Sequence, residues 1–469
     1  MKKVAVHNLG CKVNSYELDV MVQTLREQGY EIVPFGSRAD VYIINTCTVT
    51  NIADRKSRQM LHRAKKENPD SIVVAVGCYV ETDEQEIEND PAVDLAIGTN
   101  RKGQIAAILS DYLRERERTT GAAKSSGVTH TDKTLQGRSM EDILNHPAFE
   151  SMHLTAPGHT RAYIKIQDGC SQYCTYCIIP YARGTIRSRD PEEILEEIRG
   201  LAGRGVREVV LTGIHIGSYG LEKGLDPETE LESLLRRISL IYGIRRIRLG
   251  SLEPRIMTEH FIRTIACLPK VCPHFHLSLQ SGCDATLRRM NRHYTTEEYL
   301  RSVRLLRQYY DRPAITTDVI TGFPGETAEE FAQSRRFCEK TGFYEMHVFP
   351  YSVRHGTAAA NMPGQLSMRC RKERSNVLLE LTRRQSDAYR ESFIGQEQEI
   401  LLEEAVVIDG RTWISGHTER YVECVEPEEV IRDRLGTSFE GEIIRAKAER
   451  RIPGTPYLAL SPQLIHLSK

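Results

Sequence analysis

Three short apolar runs, VAVHNLG, VYIINTC and SIVVAVGC, stand near the start of the chain. The segments between them, SYELDVMVQTLREQG and DRKSRQMLHRAKKEN, place apolar residues three or four positions apart, the spacing of an amphipathic helix. A fourth apolar run, VDLAIGT, follows after an acidic stretch. This alternation of strand and helix predicts a doubly wound parallel sheet, and hence an α/β domain, over residues 1–110.

The middle of the chain repeats the same alternation. EVVLTGIH, RIRLGSLEP, FHLSLQSG, ITTDVITGFPGET and YEMHVFPYS have the composition of strands, and helix-like segments such as PEEILEEIRGLAGRG separate them. The repeat predicts a parallel (β/α) barrel over residues 156–387. The preceding residues 111–155 include the patch TTGAAKSSGVTHTDKT and are predicted to be a linker. Short alternating segments over residues 388–467, such as EILLEEAVV, predict a small β-barrel.

Composition and charge exclude several classes of protein. The hydrophobic fraction of 40% and the charged fraction of 27% are those of a globular chain rather than a disordered one. The sequence has neither an apolar run of membrane-spanning length nor the pattern of a signal peptide, so we expect a cytoplasmic protein with no membrane partner. Residues 156–387 hold 34 Lys and Arg against 27 Asp and Glu, which weakly indicates an anionic partner for this region, whereas residues 388–469 hold 10 against 15.

The 12 cysteines indicate metal chemistry, because cytoplasmic thiols stay reduced. Cys11, Cys47 and Cys78 each stand at or just after the end of a predicted strand, so a parallel sheet would bring all three to one edge. Three thiolates can hold an iron–sulfur cluster and leave one iron without a protein ligand. The alternatives are small buried fillers or a zinc site, for which His7, inside the first strand, is a doubtful fourth ligand.

A second triad, Cys170, Cys174 and Cys177, has the spacing C-x3-C-x2-C. This spacing is too tight for a zinc ribbon built from separated CxxC pairs, and it suits a loop that wraps three corners of a cubane cluster. The other six cysteines show no usable spacing and are predicted to be packing residues: Cys267, Cys272, Cys283, Cys338, Cys370 and Cys424.

The second triad, with Tyr176 before its last cysteine, resembles the signature of radical S-adenosylmethionine (SAM) enzymes. The resemblance implies that SAM chelates the open iron and that the central domain is the partial (β/α)6 barrel of that superfamily. Functional residues of such barrels lie at the carboxyl ends of strands. The positions that match loosely as SAM contacts, together with Tyr176, are Gly213, Ser251, Glu253 and Gln280.

Over nearly its full length the chain resembles the methylthiotransferase branch of that superfamily. The matching motifs are LGCKVNSYELD, INTCTVT, VGCYVET, GCSQYCTYCIIPYARG and HLSLQSGCDATLRRMNRHYT, in this order. The resemblance implies two 4Fe–4S clusters, a C-terminal TRAM domain that contacts RNA, and replacement of an unreactive C–H by a methylthio group. It also implies that the cluster on Cys170, Cys174 and Cys177 reduces SAM, while the cluster on Cys11, Cys47 and Cys78 holds the sulfur to be donated. An external electron donor and an unidentified sulfur donor are then required.

Branches of this family differ in the substrate that they modify. LGCKVN and SLQSGCDATLRRMNRHYT look like the branch that modifies C2 of N6-threonylcarbamoyladenosine beside the tRNA anticodon, at position 37. Isopentenyladenosine in tRNA and an aspartate of a ribosomal protein are the alternative substrates. Two other classes are an iron–sulfur electron carrier, which would not cleave SAM, and a zinc-stabilised RNA-binding protein, which would be colourless.

The C-terminal barrel offers two candidate RNA surfaces. Trp413, Arg420 and Tyr421 have side chains that stack on bases, although Trp413 and Tyr421 suit the barrel core equally well. Arg445, Lys447, Arg450 and Arg451 would form a basic face on one stretch.

Overall fold

The structure is a computed structural model that describes residues 2–126, 137–139, 143, 148–436, 438–461 and 465–466. The predicted linker therefore lies partly outside the described residues. Its first part is helical, since the helix that begins at Ile105 continues to Ser126. None of the helices in the described ranges is long and apolar enough to cross a membrane.

The N-terminal region is a parallel sheet with helices on both faces. Its elements are β1 (Lys3–Asn8), α1 (Lys12–Glu27), β2 (Glu31–Val33), β3 (Val41–Thr46), α2 (Asn51–Glu67), β4 (Ile72–Gly77), α3 (Cys78–Thr82), α4 (Glu84–Asn89), β5 (Leu95–Ile97), α5 (Ile105–Ser126) and β6 (Gly137–Ser139). The strands lie in the order β2-β1-β3-β4-β5-β6. α1 and α5 pack on one face and α2 on the other, so every residue of β3 and β4 is buried. This is the predicted doubly wound sheet.

The middle region alternates strands and helices. Its elements are β7 (Ala162–Lys165), β8 (Gln167–Asp168), α6 (Ile179–Arg183), β9 (Arg187–Ser188), α7 (Pro191–Gly203), β10 (Glu208–Thr212), α8 (Pro227–Ser239), β11 (Arg246–Leu249), β12 (Ser251–Leu252), α9 (Glu259–Ala266), β13 (His274–Leu277), α10 (Asp284–Arg289), α11 (Thr296–Tyr309), β14 (Ala314–Thr321), α12 (Ala328–Thr341), β15 (Glu345–Pro350) and α13 (Met368–Glu391).

Two sheets form the barrel, one ordered β7-β10-β11 and the other β12-β13-β14-β15. Only Gly250 separates β11 from β12, so these two act as one interrupted strand, and the barrel has the six strand positions predicted. The pairs β10–β11, β12–β13, β13–β14 and β14–β15 are parallel, which brings their carboxyl ends to one rim.

The C-terminal region is a small barrel. Its elements are β16 (Glu397–Ile408), β17 (Arg411–Thr418), β18 (Glu423–Pro427), α14 (Glu428–Leu435), β19 (Ile443–Arg451), β20 (Leu458–Leu460) and β21 (Ile465–His466). Its strands pair antiparallel except for β18 and β20, which are parallel. β16 pairs with both β17 and β19, which closes the sheet and buries side chains such as Ile400, Ile414 and Ile444.

The chain forms two compact units that interleave along the sequence. The first comprises Met1–Ala156, Lys165–Asp190 and Ser352–Ala360; the second comprises Pro157–Ile164, Pro191–Tyr351 and Asn361–Lys469. All six cysteines of the two triads belong to the first unit, whereas Gly213, Ser251, Glu253 and Gln280 belong to the second.

Candidate metal centres

The sheet of the first unit brings Cys11, Cys47 and Cys78 to one edge. Cys11 caps α1 after β1, Cys47 directly follows β3, and Cys78 begins α3 after β4. β1, β3 and β4 are adjacent and parallel, so their carboxyl ends meet as the sequence predicts. Burial raises the pKa of the Cys47 thiol to about 12, and the neighbouring Cys78 adds to the effect. A metal that binds here must therefore displace protons from the thiols.

Glycines directly before two of these cysteines allow the close approach of their loops. Gly10 has φ +105°, and a Cβ on it would lie 3.0 Å from Cys47 Cβ and 3.1 Å from Cys47 Sγ. Gly77 has φ +101°, and a Cβ on it would lie 3.0 Å from Asn45 Oδ1. Since any larger residue would be strained and crowded at both positions, each glycine is required by the cysteine site.

Two buried asparagines tie the Cys11 loop to the Cys47 loop. The side-chain amide of Asn14 donates to the carbonyl of Leu9 at 2.6 Å and to that of Thr46 at 3.0 Å. The side-chain amide of Asn45 donates in turn to the carbonyl of Asn14 at 2.8 Å. These bonds satisfy backbone groups at the strand ends and hold the loops at fixed separations.

A network of buried charges lies beside Cys78. Two carboxylates, Glu17 and Asp168, face four cations, and all six residues have 2% or less of their surface exposed: Glu17, Lys102, Lys165, Asp168, Arg183 and Arg187. Glu17 accepts from Lys102 at 2.5 Å, from Lys165 at 2.7 Å and from Arg183 at 2.9 Å. Although burial alone would raise it, these cations hold the pKa of Glu17 well below its usual value.

Arg183 links this network to the cysteine site. Its Nε lies 3.3 Å from Cys78 Sγ and donates to it. Its Nη1 and Nη2 donate to Asp168 at 3.1 Å and to Asn14 Oδ1 at 2.6 Å. The guanidinium is therefore held rigidly, with one donor directed at a candidate metal ligand.

The charge balance of the network fits a bound cluster. Among the six side chains positive charges exceed negative charges by two, and burial makes an uncompensated charge costly. A cluster ligated by three thiolates adds negative charge beside Arg183. The donor set, the glycine-shaped loops and the charge excess all suit a 4Fe–4S cluster on Cys11, Cys47 and Cys78.

The second triad lies on a loop that the surrounding backbone shapes. Gly169 precedes Cys170 with φ +69°, and a Cβ on it would lie 1.8 Å from the Thr185 carbonyl oxygen. The backbone N–H of Cys177 donates to the carbonyl of Cys174 at 2.9 Å, which folds the loop on itself before α6. Cys174 is buried, while Cys170 and Cys177 are half-buried. Three thiols on one tight loop suit a second cluster of the same kind.

In the second unit, the predicted SAM contacts follow barrel strands. Gly213 follows β10, Ser251 begins β12, Glu253 follows β12, and Gln280 lies beyond β13. Gln280 adopts φ +65°, and its backbone N–H donates to the carbonyl of Asp318 at 2.8 Å. All four therefore lie on or beside strand ends at the barrel rim.

Glu253 is buried and held by basic side chains. Arg255 lies at 2.8 Å, Arg292 at 3.0 Å and His215 at 3.5 Å from its carboxylate. Against the effect of burial, His215 and Arg292 lower the pKa of Glu253 to about 2. Glu253 is therefore a fixed anion at the rim.

Of the two interpretations of Trp413, stacking on bases and packing in the barrel core, the structure supports packing in the core. This side chain is 8% exposed and packs in the barrel core with Val425, Ile452 and Ala459. Arg161 and Arg248 each lie 4.9 Å from the centre of the Tyr421 ring.

Arg420 is also engaged within the protein, donating to the carbonyl of Asp311 at 3.0 Å. On β19, Arg445 and Lys447 are exposed, but they pair in register with Glu399 and Glu397. The predicted basic face is thus interrupted by acidic residues.

Sequence reasoning missed the buried charge network. Lys165 and Asp168 did stand out as charges inside the apolar strand-like run AYIKIQD, and Arg183 lies six residues after Cys177. A charged residue in a buried strand is a signal, because such residues are rarely buried without a partner. The glycines directly before Cys11, Cys78 and Cys170 are a second signal in the sequence, because a glycine beside a candidate ligand indicates a tight loop.

Comparison with known proteins gives matches in both halves of the chain. Residues 164–338 match the Radical SAM superfamily, and residues 3–98 match Uncharacterized protein family UPF0004. The chain is 38% identical over 448 residues to threonylcarbamoyladenosine tRNA methylthiotransferase MtaB of Bacillus subtilis, covering 95% of this chain and 94% of that protein. It is 34% identical over 409 residues to tRNA-2-methylthio-N(6)-dimethylallyladenosine synthase of Pelotomaculum thermopropionicum, covering 86% and 87%.

Among solved structures, the radical SAM methyltransferase TsrM from Kitasatospora setae matches with a TM-score of 0.51 at 17% identity, covering 74% of this chain and 75% of that one. This likeness supports the fold alone. The sequence matches go further: the chain belongs to the radical SAM methylthiotransferase family. The predicted fold class, family, enzyme class and cofactors, SAM and 4Fe–4S clusters, are confirmed.

Proposed function

We propose that this enzyme adds a methylthio group to C2 of N6-threonylcarbamoyladenosine at position 37 of tRNA. The observation that carries the proposal is the pair of cysteine triads, each shaped by a glycine of positive φ directly before a cysteine. Relatives named for this activity match over nearly the whole chain at 38% identity. Because tRNA is cytoplasmic, the proposed substrate implies a cytoplasmic enzyme.

The two triads divide the chemistry. Cys170, Cys174 and Cys177 would hold the cluster that supplies an electron for SAM cleavage, and Cys11, Cys47 and Cys78 the one that supplies sulfur. Arg183 keeps Cys78 oriented through the Nε to Sγ contact of 3.3 Å. The asparagine bonds between the Cys11 and Cys47 loops support a site that is preorganised before a metal binds.

Tyr176, Gly213, Ser251, Glu253 and Gln280 are the proposed SAM-binding residues. Glu253 is an anion at the rim and suits the cationic groups of SAM, because its pKa of about 2 keeps it charged at neutral pH. The left-handed backbone of Gln280 aims its side chain from a fixed position beside β14. An external reductant and a separate sulfur donor complete the reaction.

Recognition of tRNA rests on phosphate contacts. The excess of Lys and Arg over residues 156–387 supports an anionic partner for the barrel region. The exposed Arg445 and Lys447 of β19 would add contacts of the same kind. Binding should then weaken steeply as salt is raised.

The test uses the enzyme with both clusters assembled anaerobically, SAM, a reductant, and two tRNAs that carry threonylcarbamoyladenosine or isopentenyladenosine. Mass spectrometry of the digested nucleosides should find the 2-methylthio product only from the threonylcarbamoylated tRNA. Product from the isopentenylated tRNA, the substrate class of the 34% identical relatives, would overturn the substrate and leave the reaction class standing. Absence of 5′-deoxyadenosine with either tRNA or with SAM alone would overturn the reaction class.

A further inference from the structure

A second group of metal-ligating side chains, which includes no cysteine, lies on three neighbouring barrel strands. His276 on β13, Asp318 on β14 and His347 on β15 each offer a ligand atom, and these three atoms lie within 4.8 Å of one another. Among the described residues, this is the group of three His, Cys, Asp or Glu side chains that is compact enough to share one ion. It belongs wholly to the second unit.

Strand register places the three side chains on one face of the sheet. Asp318 pairs directly with His347, and His276 pairs with Thr316, two residues before Asp318 on β14. Alternate residues of a strand share a face, so Thr316 and Asp318 point the same way. The opposite face of β15 packs against α13, where the backbone N–H of the buried Met346 donates to Thr382 Oγ1 at 2.8 Å.

This polar face departs from ordinary barrel packing. The inward positions of such barrels are dominated by bulky branched apolar residues. Here His276, Asp318 and His347 occupy them, and Glu345, which pairs with Thr316, adds another carboxylate to the same face. Asp318 retains 30% and His276 13% of its side-chain exposure, so a small ion can reach both.

The distances match those between two ligands of one ion. His276 Nε2 lies 3.1 Å from Asp318 Oδ2. Two ligands that each stand about 2.0–2.1 Å from a metal lie roughly 2.8–3.4 Å apart at octahedral or tetrahedral angles. The pair therefore needs no rearrangement to bind.

Thr316 orients the imidazole in the manner of an outer-shell partner. Its Oγ1 lies 3.0 Å from His276 Nδ1. When Nδ1–H donates to this hydroxyl, the Nε2 lone pair faces the Asp318 carboxylate, and a cation bound between these two acceptors would satisfy both.

We propose that His276, Asp318 and His347 bind one divalent first-row transition-metal ion, separate from both iron–sulfur clusters. Two imidazoles and one carboxylate favour such an ion over Mg²⁺ or Ca²⁺, which prefer oxygen ligands. Three protein ligands leave coordination positions open to an exogenous ligand. The site adjoins the barrel rim, since the Asp318 carbonyl accepts the backbone N–H of Gln280.

The test titrates Mn²⁺ into the full-length enzyme with both clusters assembled and oxidised, so that the thiols are occupied. The free-Mn²⁺ signal in electron paramagnetic resonance reports binding. We expect about one Mn²⁺ per chain, displaced by Zn²⁺ and not by Mg²⁺. Binding should be lost in Asp318→Asn and in His347→Gln, and weakened roughly 10- to 100-fold in Thr316→Val.

The matched control is His260→Gln. His260 also lies 3.1 Å from a carboxylate, that of Glu232, but it is exposed, and in the described part of the chain it belongs to no group of three candidate ligands. Its variant should bind Mn²⁺ like the parent. Asp318→Asn keeps the side-chain shape, and an unchanged iron content and melting temperature would show that it folds.

Three results would overturn the proposal: no Mn²⁺ bound by the parent, binding unchanged in Asp318→Asn, or binding lost equally in His260→Gln. If Asp318→Asn alters the tRNA product while the parent binds no Mn²⁺, the group contacts substrate directly instead. Failure of the methylthiotransferase assay with Mn²⁺ binding intact would count against the proposed function and not against this site.

Discussion

The two cysteine triads offer the same donor set, three thiols, but the fold assembles them in different ways. Cys170, Cys174 and Cys177 are close in sequence, and one loop closed by the Cys177 to Cys174 hydrogen bond presents them. Cys11, Cys47 and Cys78 come from three separate strands and converge only through the parallel sheet. The second arrangement also has the buried charge network beside it, with Arg183 in contact with Cys78.

The difference indicates which parts of the structure hold each cysteine triad in place. A loop site depends mainly on local backbone geometry, such as the positive φ of Gly169. A site assembled from distant strands depends on the whole sheet and on the charges packed behind it. Disturbing Glu17 or Arg183 should therefore affect the strand-built triad far more than distant sites.

The largest expected effect is complete loss of SAM cleavage in Cys174→Ala. The change removes one of three ligands from the loop triad, and a cluster with two protein ligands does not form properly. Chromatography of 5′-deoxyadenosine after reduction measures the loss. Cys338→Ala, a buried cysteine of the barrel, is the control and should keep cleavage near the parental rate.

Cys47→Ala should separate the two triads. Methylthio transfer is expected to stop, while part of the 5′-deoxyadenosine formation persists because the loop triad is intact. Nucleoside mass spectrometry and deoxyadenosine assays on one preparation give both readings. Normal methylthiolated product would mean that the strand-built triad is structural.

Glu17→Gln should destabilise the fold by about 3–5 kcal/mol, because it leaves Lys102, Lys165 and Arg183 short of a buried counter-charge. Urea unfolding of the parent and the variant measures the change. Glu27→Gln, on the exposed end of the same helix, should stay within about 0.5 kcal/mol of the parent. Equal effects of the two substitutions would refute a role for the buried network.

Glu150 gives a pH-dependent effect beside the same network. Burial raises the pKa of Glu150 to about 7, so the folded chain retains a proton that the unfolded chain releases near its ordinary value of 4.5. Stability therefore falls as pH rises from 4.5 through about 7. Glu150→Gln removes this loss and keeps an acceptor for the Gly103 N–H, which Glu150 accepts at 2.7 Å.

The expected gain from Glu150→Gln is about 3 kcal/mol at pH near 8 and close to zero at pH near 4. Melting temperatures across this range measure it. A gain that does not change with pH would show that the side chain is already ionised freely in the folded protein.

Arg183→Lys should give the smallest and most selective change. Lysine keeps the positive charge but lacks the fork that contacts Cys78, Asp168 and Asn14 together. The substitution is tested in a variant in which Cys170, Cys174 and Cys177 are changed to alanine, so that only the cluster of the strand-built triad remains. The reduction potential and the electron paramagnetic resonance spectrum of that cluster should shift. Unchanged spectra would show that the Nε to Sγ contact has no influence on that site.

The alternating apolar pattern by itself determined the sheet, the barrel and the small C-terminal barrel, because burial of one helix face or strand face is a local constraint. The spacing of Cys170, Cys174 and Cys177 likewise determined the loop triad. The glycines before Cys11 and Cys78 can be read from the sequence. That a larger residue would not fit at these positions is evident only from the atoms that surround them in the structure.

Tertiary structure alone decided which polar residues lose contact with water. It buried Trp413 in the C-terminal barrel and gathered Glu17, Lys165 and Arg183 from distant segments. It also placed His276 and His347 on the two strands that flank the strand of Asp318. Desolvation and charge pairing depend on neighbours brought together by folding, and no local pattern of residues encodes those neighbours.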